Sequence, residues 1–272
     1  MNYKISLLLF FIFHGLFSQN PSSKQVLDEV VVSSTKINLP FSKNFRTIEI
    51  ISSEQIAIST ATNVSDLLQQ TTGIDIRRRG TGGIQGDLYI RGGGFDQTLL
   101  LVDGMKMDNS QTGHHTLNMI LPLHLIERIE IIKGPASRIF GQNAYAGAIN
   151  IITKEVKGEN GTTIYKPTEL SFGSYSQKNL GLSLSIIREK VKNIISFTTN
   201  RSDGYRHNTD YINNNYFSKT SFKTKSSPVD LIASFSHRKF GANGFYASPS
   251  ATEQYEETQA SLLGISTVFK SE

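Results

Sequence analysis

Residues 87–153, from which the rest of the chain is interpreted, read DLYIRGGGFDQTLLLVDGMKMDNSQTGHHTLNMILPLHLIERIEIIKGPASRIFGQNAYAGAINIIT. Short apolar runs alternate with glycine-rich turns in this stretch. None of these runs reaches the roughly 20 apolar residues that a membrane-crossing helix needs. The stretch therefore predicts a small sheet with tight turns.

Local signals predict the elements of this sheet. Thr98 to Lys106 reads as a hairpin, because Asp103-Gly104 is a two-residue turn signal between apolar runs. The other predicted elements are strand Ile48 to Ile51, a helix after the capping box Ser52…Gln55, helix Val64 to Thr71 ending before Gly73, strand Ile74 to Ile76, strand Ile129 to Ile132, a short helix starting at Pro135 and ending at Gly141, and strand Ala148 to Thr153. Together they indicate an α+β domain.

Four blocks occur in order along the sequence: Ile90-Arg91-Gly92; Leu100 to Gly104; Ile126 to Pro135; and Gly147 to Thr153. In sequence and spacing they resemble the plug domain of TonB-dependent outer-membrane receptors, most of all the vitamin B12 and siderophore receptors of that family. The resemblance implies an α+β plug domain, with a small mixed sheet and short helices. It also implies antiparallel β-strands of a transmembrane β-barrel after the plug.

Composition and motifs argue against several other classes of protein. The 272-residue chain has no cysteine, which excludes disulfides and thiolate metal sites. Its only tight basic run is Arg77-Arg78-Arg79, without aromatic residues beside it, so no nucleic-acid partner is expected. The glycine loops match neither a dinucleotide fingerprint nor a P-loop, and no cofactor is expected. No catalytic set is found, because Glu127 and Glu130 fit solvent-facing strand positions. An enzyme is therefore not predicted.

The N-terminus has the layout of a secretory signal peptide. Lys4 precedes the apolar run Ile5 to Phe17, and polar residues follow from Ser18, near which cleavage is expected. A membrane anchor is the alternative, but the run is short for a spanning helix. Export in a chain without a cysteine for lipidation indicates the periplasm or the outer membrane, and the resemblance implies the outer membrane.

A strand-prone segment follows the predicted signal. Leu27, Asp28, Glu29, Val30, Val31 and Val32 lie after a polar leader, and β-branched residues favour pairing with the edge of another sheet. An ordinary edge strand is the alternative. The resemblance implies a TonB box, the segment that these receptors offer to the energy-transducing protein TonB.

The resemblance also assigns roles to side chains of the plug. Arg91, in the IRG motif, and Arg128 are expected to tie the plug to the barrel wall. Expected contacts with the substrate, a small nutrient such as cobalamin or a metal chelate, are Arg78, Arg79, Gln111, His114 and His115. Solvated charges lining the barrel are the alternative for the arginines. A metal site is not expected, because neighbouring histidines on a strand point to opposite faces.

Beyond Lys154, segments of about ten residues alternate apolar and polar side chains, as transmembrane β-barrels do. A water-facing meander is the alternative. The segment is long enough for about five to seven strands, whereas plugged transporter barrels have about 22. The expected organisation is therefore a truncated receptor: signal peptide 1–19, leader with TonB box 20–45, plug 46–156, and first strands of an incomplete barrel 157–272.

The predicted function is TonB-dependent uptake of a scarce nutrient, of vitamin B12 or iron-siderophore type. The rival interpretation is a non-transporting binding remnant, periplasmic or in the outer membrane, in which only the plug folds. A secreted enzyme is the least supported, because no nucleophile–base or metal constellation is found.

Overall fold

The computed structural model describes residues 31–32, 39–40, 48–82, 85–107, 109, 112–118, 121–156, 161–164, 169–224, 227–246 and 248–267. The predicted signal peptide and residues Leu27 to Val30 lie outside this range. The described strands are β1 Val31–Val32, β2 Leu39–Pro40, β3 Ile48–Ser52, β4 Ile74–Arg78, β5 Gly86–Ile90, β6 Thr98–Val102, β7 Met105–Lys106, β8 Ile126–Lys133, β9 Gly147–Thr153, β10 Gly161–Ile164, β11 Glu169–Gly173, β12 Gln177–Ile187, β13 Val191–Ser202, β14 Tyr211–Phe222, β15 Val229–Gly241 and β16 Tyr255–Thr267.

Helices are short and confined to the first half of the described chain. They are α1 Ser53–Ile58, α2 Val64–Gln69 and α3 Ser137–Phe140, with 3-10 helices Phe95–Gln97, Gly113–Asn118 and Leu123–Leu125. No helix in the described ranges is both long and apolar enough to cross a membrane.

The first domain, here called the plug, is built on a mixed sheet with the order β3-β8-β9-β6-β7. Strand β9 runs parallel to β6 and antiparallel to β8, so it joins two otherwise separate strand pairs. Both faces of the sheet are buried, with Leu100 and Val102 in one apolar cluster and Leu99 and Leu101 in another. Strands β4 and β5 form a separate hairpin.

Local sequence signals explain how these elements begin and end. The predicted capping box is confirmed: the Ser52 amide donates to Gln55 Oε1 (2.8 Å), and the Gln55 amide donates to Ser52 Oγ (3.4 Å). Helix α2 ends at Gln69, slightly before the predicted Thr71, and α3 begins at Ser137 rather than at Pro135. The predicted hairpin turn is also confirmed, with φ of 48° at Asp103 and 78° at Gly104.

The second part, here called the wall, is a seven-stranded antiparallel sheet in the described residues. Its order is β10-β12-β13-β14-β15-β16, with β11 also paired to β12. The path is open, because β10 and β16 are not paired to each other. The predicted fold class, a small mixed-sheet plug followed by antiparallel strands of an incomplete barrel, is confirmed.

The two ends of the wall differ. Turns at residues 188–190 and 223–228 close one end, here called the short-turn end. Longer connections at residues 203–210 and 242–254 close the other, here called the long-loop end. In outer-membrane barrels the short turns are periplasmic and the longer loops are extracellular.

The wall has the opposite polarity to a sheet of a water-soluble protein. Its outward residues are apolar and exposed, such as Leu182 at 47% and Leu263 at 73%. Many of its inward residues are polar and buried against the plug, such as Ser183, Ser196 and Asn213, while Ile194, Phe217 and Ile232 on the same face join an apolar cluster of the plug. Antiparallel sheets in water bury the apolar face instead, whereas outer-membrane strands turn it toward lipid.

Candidate functional site between plug and wall

A lysine of the wall binds the plug near the short-turn end. Lys219 Nζ on β14 lies 2.8 Å from Asp103 Oδ2 and 2.9 Å from Thr153 Oγ1. The Asp103 carboxylate also accepts hydrogen bonds from the amide (2.9 Å) and the hydroxyl (2.6 Å) of Thr153. The turn that carries Asp103 is fixed in place because the Gly104 amide donates to Asn150 Oδ1 at 2.9 Å. This cluster connects β6, β9 and β14.

A second connection joins the middle of the interface. His124 Nε2 lies 2.7 Å from Ser183 Oγ on β12, and the Ser183 hydroxyl donates to Ser196 Oγ on β13 at 2.8 Å. Burial lowers the pKa of His124, and the charge of Lys154 lowers it further. The neutral imidazole is therefore the form that the interface favours.

The plug loop before β5 contacts the long-loop end of the wall. Asn213 Nδ2 donates to the Gly82 carbonyl at 2.9 Å, and the Tyr246 hydroxyl donates to Gln85 Oε1 at 2.8 Å. Arg79 donates to the Phe245 carbonyl, and its guanidinium lies 5.8 Å from the centre of the Tyr246 ring. Burial, and next the hydrogen bond to Glu256, raise the pKa of Tyr246, so its hydroxyl stays protonated.

Charged groups meet at the same end. His115 Nε2 of the plug lies 3.7 Å from Glu256 Oε1 of β16. Arg238 on β15, only 1% exposed, donates to the Leu117 carbonyl at 3.5 Å. Burial lowers the pKa of His115, an effect that the Glu256 carboxylate opposes.

The predicted substrate-contact residues occupy different environments. Arg78 is bound within the plug to Asp66 and to the Ser65 carbonyl, whereas Arg79 contacts the wall loop. His114 is partly exposed, and its Nδ1 lies 2.7 Å from Asp87 Oδ1. Gln111 lies outside the described residues. Substrate contact stays a prediction for all of these residues.

The expectation that the two histidines lie on a strand is wrong. His114 and His115 are part of the 3-10 helix Gly113–Asn118. In this helix His114 lies beside Asp87 and His115 lies beside Glu256, so the two side chains contact different carboxylates. In the part of the chain that the structure describes, no three acidic or histidine side chains group as metal ligands.

An aromatic row on the plug includes His114 and was not predicted. The His114 and Phe95 ring centres are 4.2 Å apart, and Phe95 meets Tyr89 edge-on at 6.2 Å. The Arg77 guanidinium lies 4.4 Å from the centre of the Tyr89 ring. The basic run therefore does have an aromatic neighbour, which hairpin β4–β5 supplies.

The two arginines predicted to tie plug to wall have described partners inside the plug. Arg91 Nη1 donates to the Lys133 carbonyl at 3.1 Å. Arg128 Nε donates to Glu130 Oε1 at 2.8 Å. Glu130 is completely buried, so its predicted solvent-facing position is wrong: the Arg128 guanidinium neutralises it inside the sheet. Contact of either arginine with the wall stays a prediction.

Sequence reasoning did not identify the wall residues that contact the plug. The alternating pattern did not lead to a prediction of strand β14. The inward face of this strand carries Tyr211, Asn213, Asn215, Phe217 and Lys219. Their spacing of two residues was a usable signal, since alternate strand residues share one face. Three consecutive asparagines concealed it, because asparagine is depleted in strands.

A small mixed sheet is held against strands with outward apolar side chains. Residues 42–148 match the family model described as the TonB-dependent Receptor Plug Domain. This part of the chain is therefore a plug domain of the kind found in TonB-dependent receptors, as the sequence blocks predicted.

Curated relatives and solved structures agree with this assignment. The chain is 34% identical over 159 residues to the vitamin B12 transporter BtuB of Vibrio vulnificus, covering 58% of this chain and 25% of that protein. For BtuB of Vibrio cholerae the identity is 31% over 182 residues, covering 66% and 29%. The matched part of the chain thus spans between a quarter and a third of these relatives.

Two solved structures share the fold. The ferripyoverdine receptor of the Pseudomonas aeruginosa outer membrane has a TM-score of 0.63 at 16% identity, covering 77% of this chain and 28% of that one. The ferric yersiniabactin uptake receptor FyuA of Yersinia pestis has a TM-score of 0.63 at 15% identity, covering 85% and 39%.

Proposed function

We propose that the full-length protein carrying this chain is a TonB-dependent outer-membrane receptor that imports a scarce nutrient of vitamin B12 or iron-siderophore type. The observation that carries the proposal is the inverted polarity of the wall around the plug. Exposed Leu263 and Ile265 suit lipid, while buried Ser183 and Asn213 face the plug. The proposed organisation is signal peptide 1–19, leader with TonB box 20–45, plug 46–156 and barrel strands from 157.

Energy for uptake must come from a partner protein, because the sequence contains no nucleotide-binding motif. In the proposal, TonB pairs with Leu27 to Val32 by strand addition, in which main-chain hydrogen bonds supply the affinity. Two of these residues, Val31 and Val32, pair with Leu39 and Pro40 in β2. Pairing with TonB would replace this two-residue ladder with a longer one.

A pull on the leader would have to break the contacts that hold the plug against the wall. The described plug–wall contacts include discrete polar bonds, among them Lys219 to Asp103 and His124 to Ser183. They also include apolar packing, because Ile194, Phe217 and Ile232 of the wall belong to the same apolar cluster as one face of the plug sheet. Movement of the plug must therefore break contacts of both kinds.

The ligand is proposed to arrive at the long-loop end. There the aromatic row ending at His114, together with Arg77 and Arg79, offers stacking surfaces and donors. His115 lies deeper, beside Glu256. Vitamin B12 is the first substrate to test, because the curated relatives quoted above carry that name. Iron siderophores are the second class of substrate to test.

Deletion of residues 27–32 in the full-length receptor tests the proposal. The deletion is expected to abolish uptake of labelled substrate and to leave binding at the cell surface unchanged. A matched deletion of the polar residues 20–25 should leave both intact. Loss of surface binding together with uptake, or uptake that survives the deletion, would contradict the assignment.

A second candidate function is a binding protein in which the plug acts without a transporting barrel. One apolar cluster of the plug favours it, since that cluster consists of plug residues alone, such as Leu99, Ile132 and Phe140. Gel mobility distinguishes the two candidates. Heat-modifiable migration in outer-membrane extracts supports the receptor, whereas a soluble periplasmic species supports the binding protein.

A further inference from the structure

Asparagines of three adjacent wall strands line a cavity between plug and wall. The strand register places Asn179 of β12 opposite Asn200 of β13, and Asn200 opposite Asn213 of β14. Asn215 follows on the same face of β14. All four asparagines, with Leu180, Thr198 and Thr199 of the wall, line a cavity of about 40 Å³, and residues of the plug line its other side: Thr62, Asn63, Gly82, Leu121, Pro122 and Leu123.

The amide oxygens of these asparagines have no hydrogen-bond partner among the described protein atoms. This holds for Oδ1 of Asn179, Asn200, Asn213 and Asn215. Three of the residues are more than nine-tenths buried, with exposed fractions of 6% for Asn179, 1% for Asn213 and 7% for Asn215. A buried acceptor without a donor destabilises the fold, so such groups normally have a partner in a bound molecule.

The orientation of one of the amides is fixed by its nitrogen atom. Asn213 Nδ2 donates to the Gly82 carbonyl at 2.9 Å, and a carbonyl cannot donate, so turning this amide over would break the bond. The Asn213 oxygen is therefore held as an acceptor. Asn215 Nδ2 donates to Thr198 Oγ1 at 3.3 Å.

The charge around the cavity selects the kind of partner. The described lining residues carry no charged side chain. Arg238, which is 1% exposed, lies opposite Asn213 in the register, and the Glu256 carboxylate of β16 opposes its charge. A charged ligand group would therefore lose its hydration without meeting a counter-charge in the described lining. Neutral groups with N–H or O–H donors can satisfy the asparagine oxygens without that cost.

We propose that this cavity is a binding site for neutral hydrogen-bond donors, namely the carboxamide or hydroxyl groups of a ligand that moves between plug and wall. A volume of about 40 Å³ holds roughly three water molecules. Water donates to the asparagine oxygens in the resting state, and donors of the ligand replace it during passage. The replacement of water by donors of the ligand rests on the proposed function.

The site also continues toward the short-turn end. Below the asparagines, the inward face of β12 and β13 carries the small polar residues Ser183, Ser185 and Ser196, all nearly fully buried. The plug presents His124 to them through its bond with Ser183. The wall thus offers successive amide and hydroxyl groups from the asparagines to Ser185 and Ser196, and Ile187 and Ile194 end this polar run at the short-turn end.

Transport by variants of the full-length receptor tests the ligand step. Asn179→Leu and Asn215→Leu remove acceptors, and we expect uptake of cyanocobalamin, a neutral amide-rich corrinoid, to fall about tenfold or more. Surface binding should stay within about twofold, since neither variant alters Arg77, Arg79 or the aromatic row ending at His114. Asn179→Ser, which keeps an oxygen acceptor, should recover most of the uptake. The matched control is Asn214→Leu, because Asn214 lies between Asn213 and Asn215 but on the opposite face of β14.

Three results would overturn the ligand step: unchanged uptake in both leucine variants, equal loss in Asn214→Leu, or a wild-type receptor that carries only a triply anionic ferric catecholate. A leucine variant that fails to reach the outer membrane is replaced by Asn200→Leu, which has the same expected result. A wild-type receptor that carries no ligand at all contradicts the proposed function instead.

A crystal structure of the full-length receptor at a resolution that shows water tests the site without transport. We expect ordered density within about 3.2 Å of at least three of the four asparagine oxygens. A dry cavity, or asparagine amides bonded to one another, would overturn the site. Density present in a receptor that does not transport leaves the site standing and removes only the proposed function.

Discussion

Lys219 on β14 and Asp103 in the β6–β7 turn form an ion pair of 2.8 Å that joins wall to plug. The two side chains are only 11% and 12% exposed, so the pair is little screened by solvent. Lys219 is also 3.9 Å from Asp230 of the neighbouring wall strand. The lysine therefore stands between a carboxylate of the plug and one of the wall.

Lys219→Met leaves the Asp103 carboxylate buried without its cation. Removing one partner of a buried pair costs about 3–5 kcal/mol, whereas replacing both partners is much cheaper. We therefore expect the single variant to lower the urea midpoint of plug release more than Lys219→Met combined with Asp103→Asn. Limited proteolysis of the plug in urea measures the release.

The control for that experiment is Lys192→Met on β13, because Lys192 is exposed. It should change the midpoint little. Equal effects of the single and double variants would show that the ion pair does not hold the plug.

The plug–wall interface should weaken in acid through His124. Burial lowers the pKa of its imidazole below the usual value of 6.5, so the unfolded chain binds this proton at a higher pH than the folded one. The histidine carries no penalty above about pH 6.5, and stability is lost as the pH falls below that value. We expect the wild-type melting temperature to fall between about pH 7.5 and 5.5 by more than that of His124→Gln, which cannot protonate. An unchanged slope in His124→Gln would exclude His124 as the source of this pH dependence.

Gly82 is needed where the plug loop meets the wall. A Cβ at this position would lie 2.3 Å from Tyr211 Cζ, and the residue has φ of +72°. Gly82→Ala therefore combines backbone strain of about 1 kcal/mol with a collision against a buried ring. Gly92→Ala has only the strain, since φ is +81° and nothing lies within 4 Å. We expect the first variant to lower the melting temperature clearly more than the second, and equal losses would argue against the contact.

Arg91→Ala tests the prediction that the IRG arginine restrains the plug. It removes the 3.1 Å bond to the Lys133 carbonyl, at the end of β8. We expect greater entry of a bulky antibiotic into cells that express the full-length receptor. Arg77→Ala is the control, because Arg77 is exposed and bound only to Asp75 and the face of Tyr89 among the described residues. Permeability that does not change in Arg91→Ala would remove this role.

The sequence predicted features that depend on neighbouring residues. The capping box of Ser52 and Gln55 and the turn at Asp103-Gly104 are local, so a few residues determine them. Features that depend on distant strands were missed. Glu130 reads as a solvent-facing charge until Arg128 is placed beside it in a closed sheet. Asn213 and Lys219 read as loop residues until the plug stands opposite β14.

The histidine pair shows a different kind of error. His114 and His115 lie among polar residues that carry no clear periodicity. A strand was assumed, but Gly113 to Asn118 form a 3-10 helix that packs beside β5. The packing surface comes from another part of the chain, so the local sequence could not reveal it.

The central position of β9 has a consequence for biogenesis. It is the last strand of the plug in sequence, yet it separates β8 from β6 and bonds to both. Before residues 147–153 are synthesised, β3 with β8 and β6 with β7 can form only two unconnected strand pairs. The contacts within the plug sheet also span long stretches of chain, and such contacts slow folding. The sheet of the plug is therefore completed at its centre by the strand that comes last in sequence, and its folding must wait for β9.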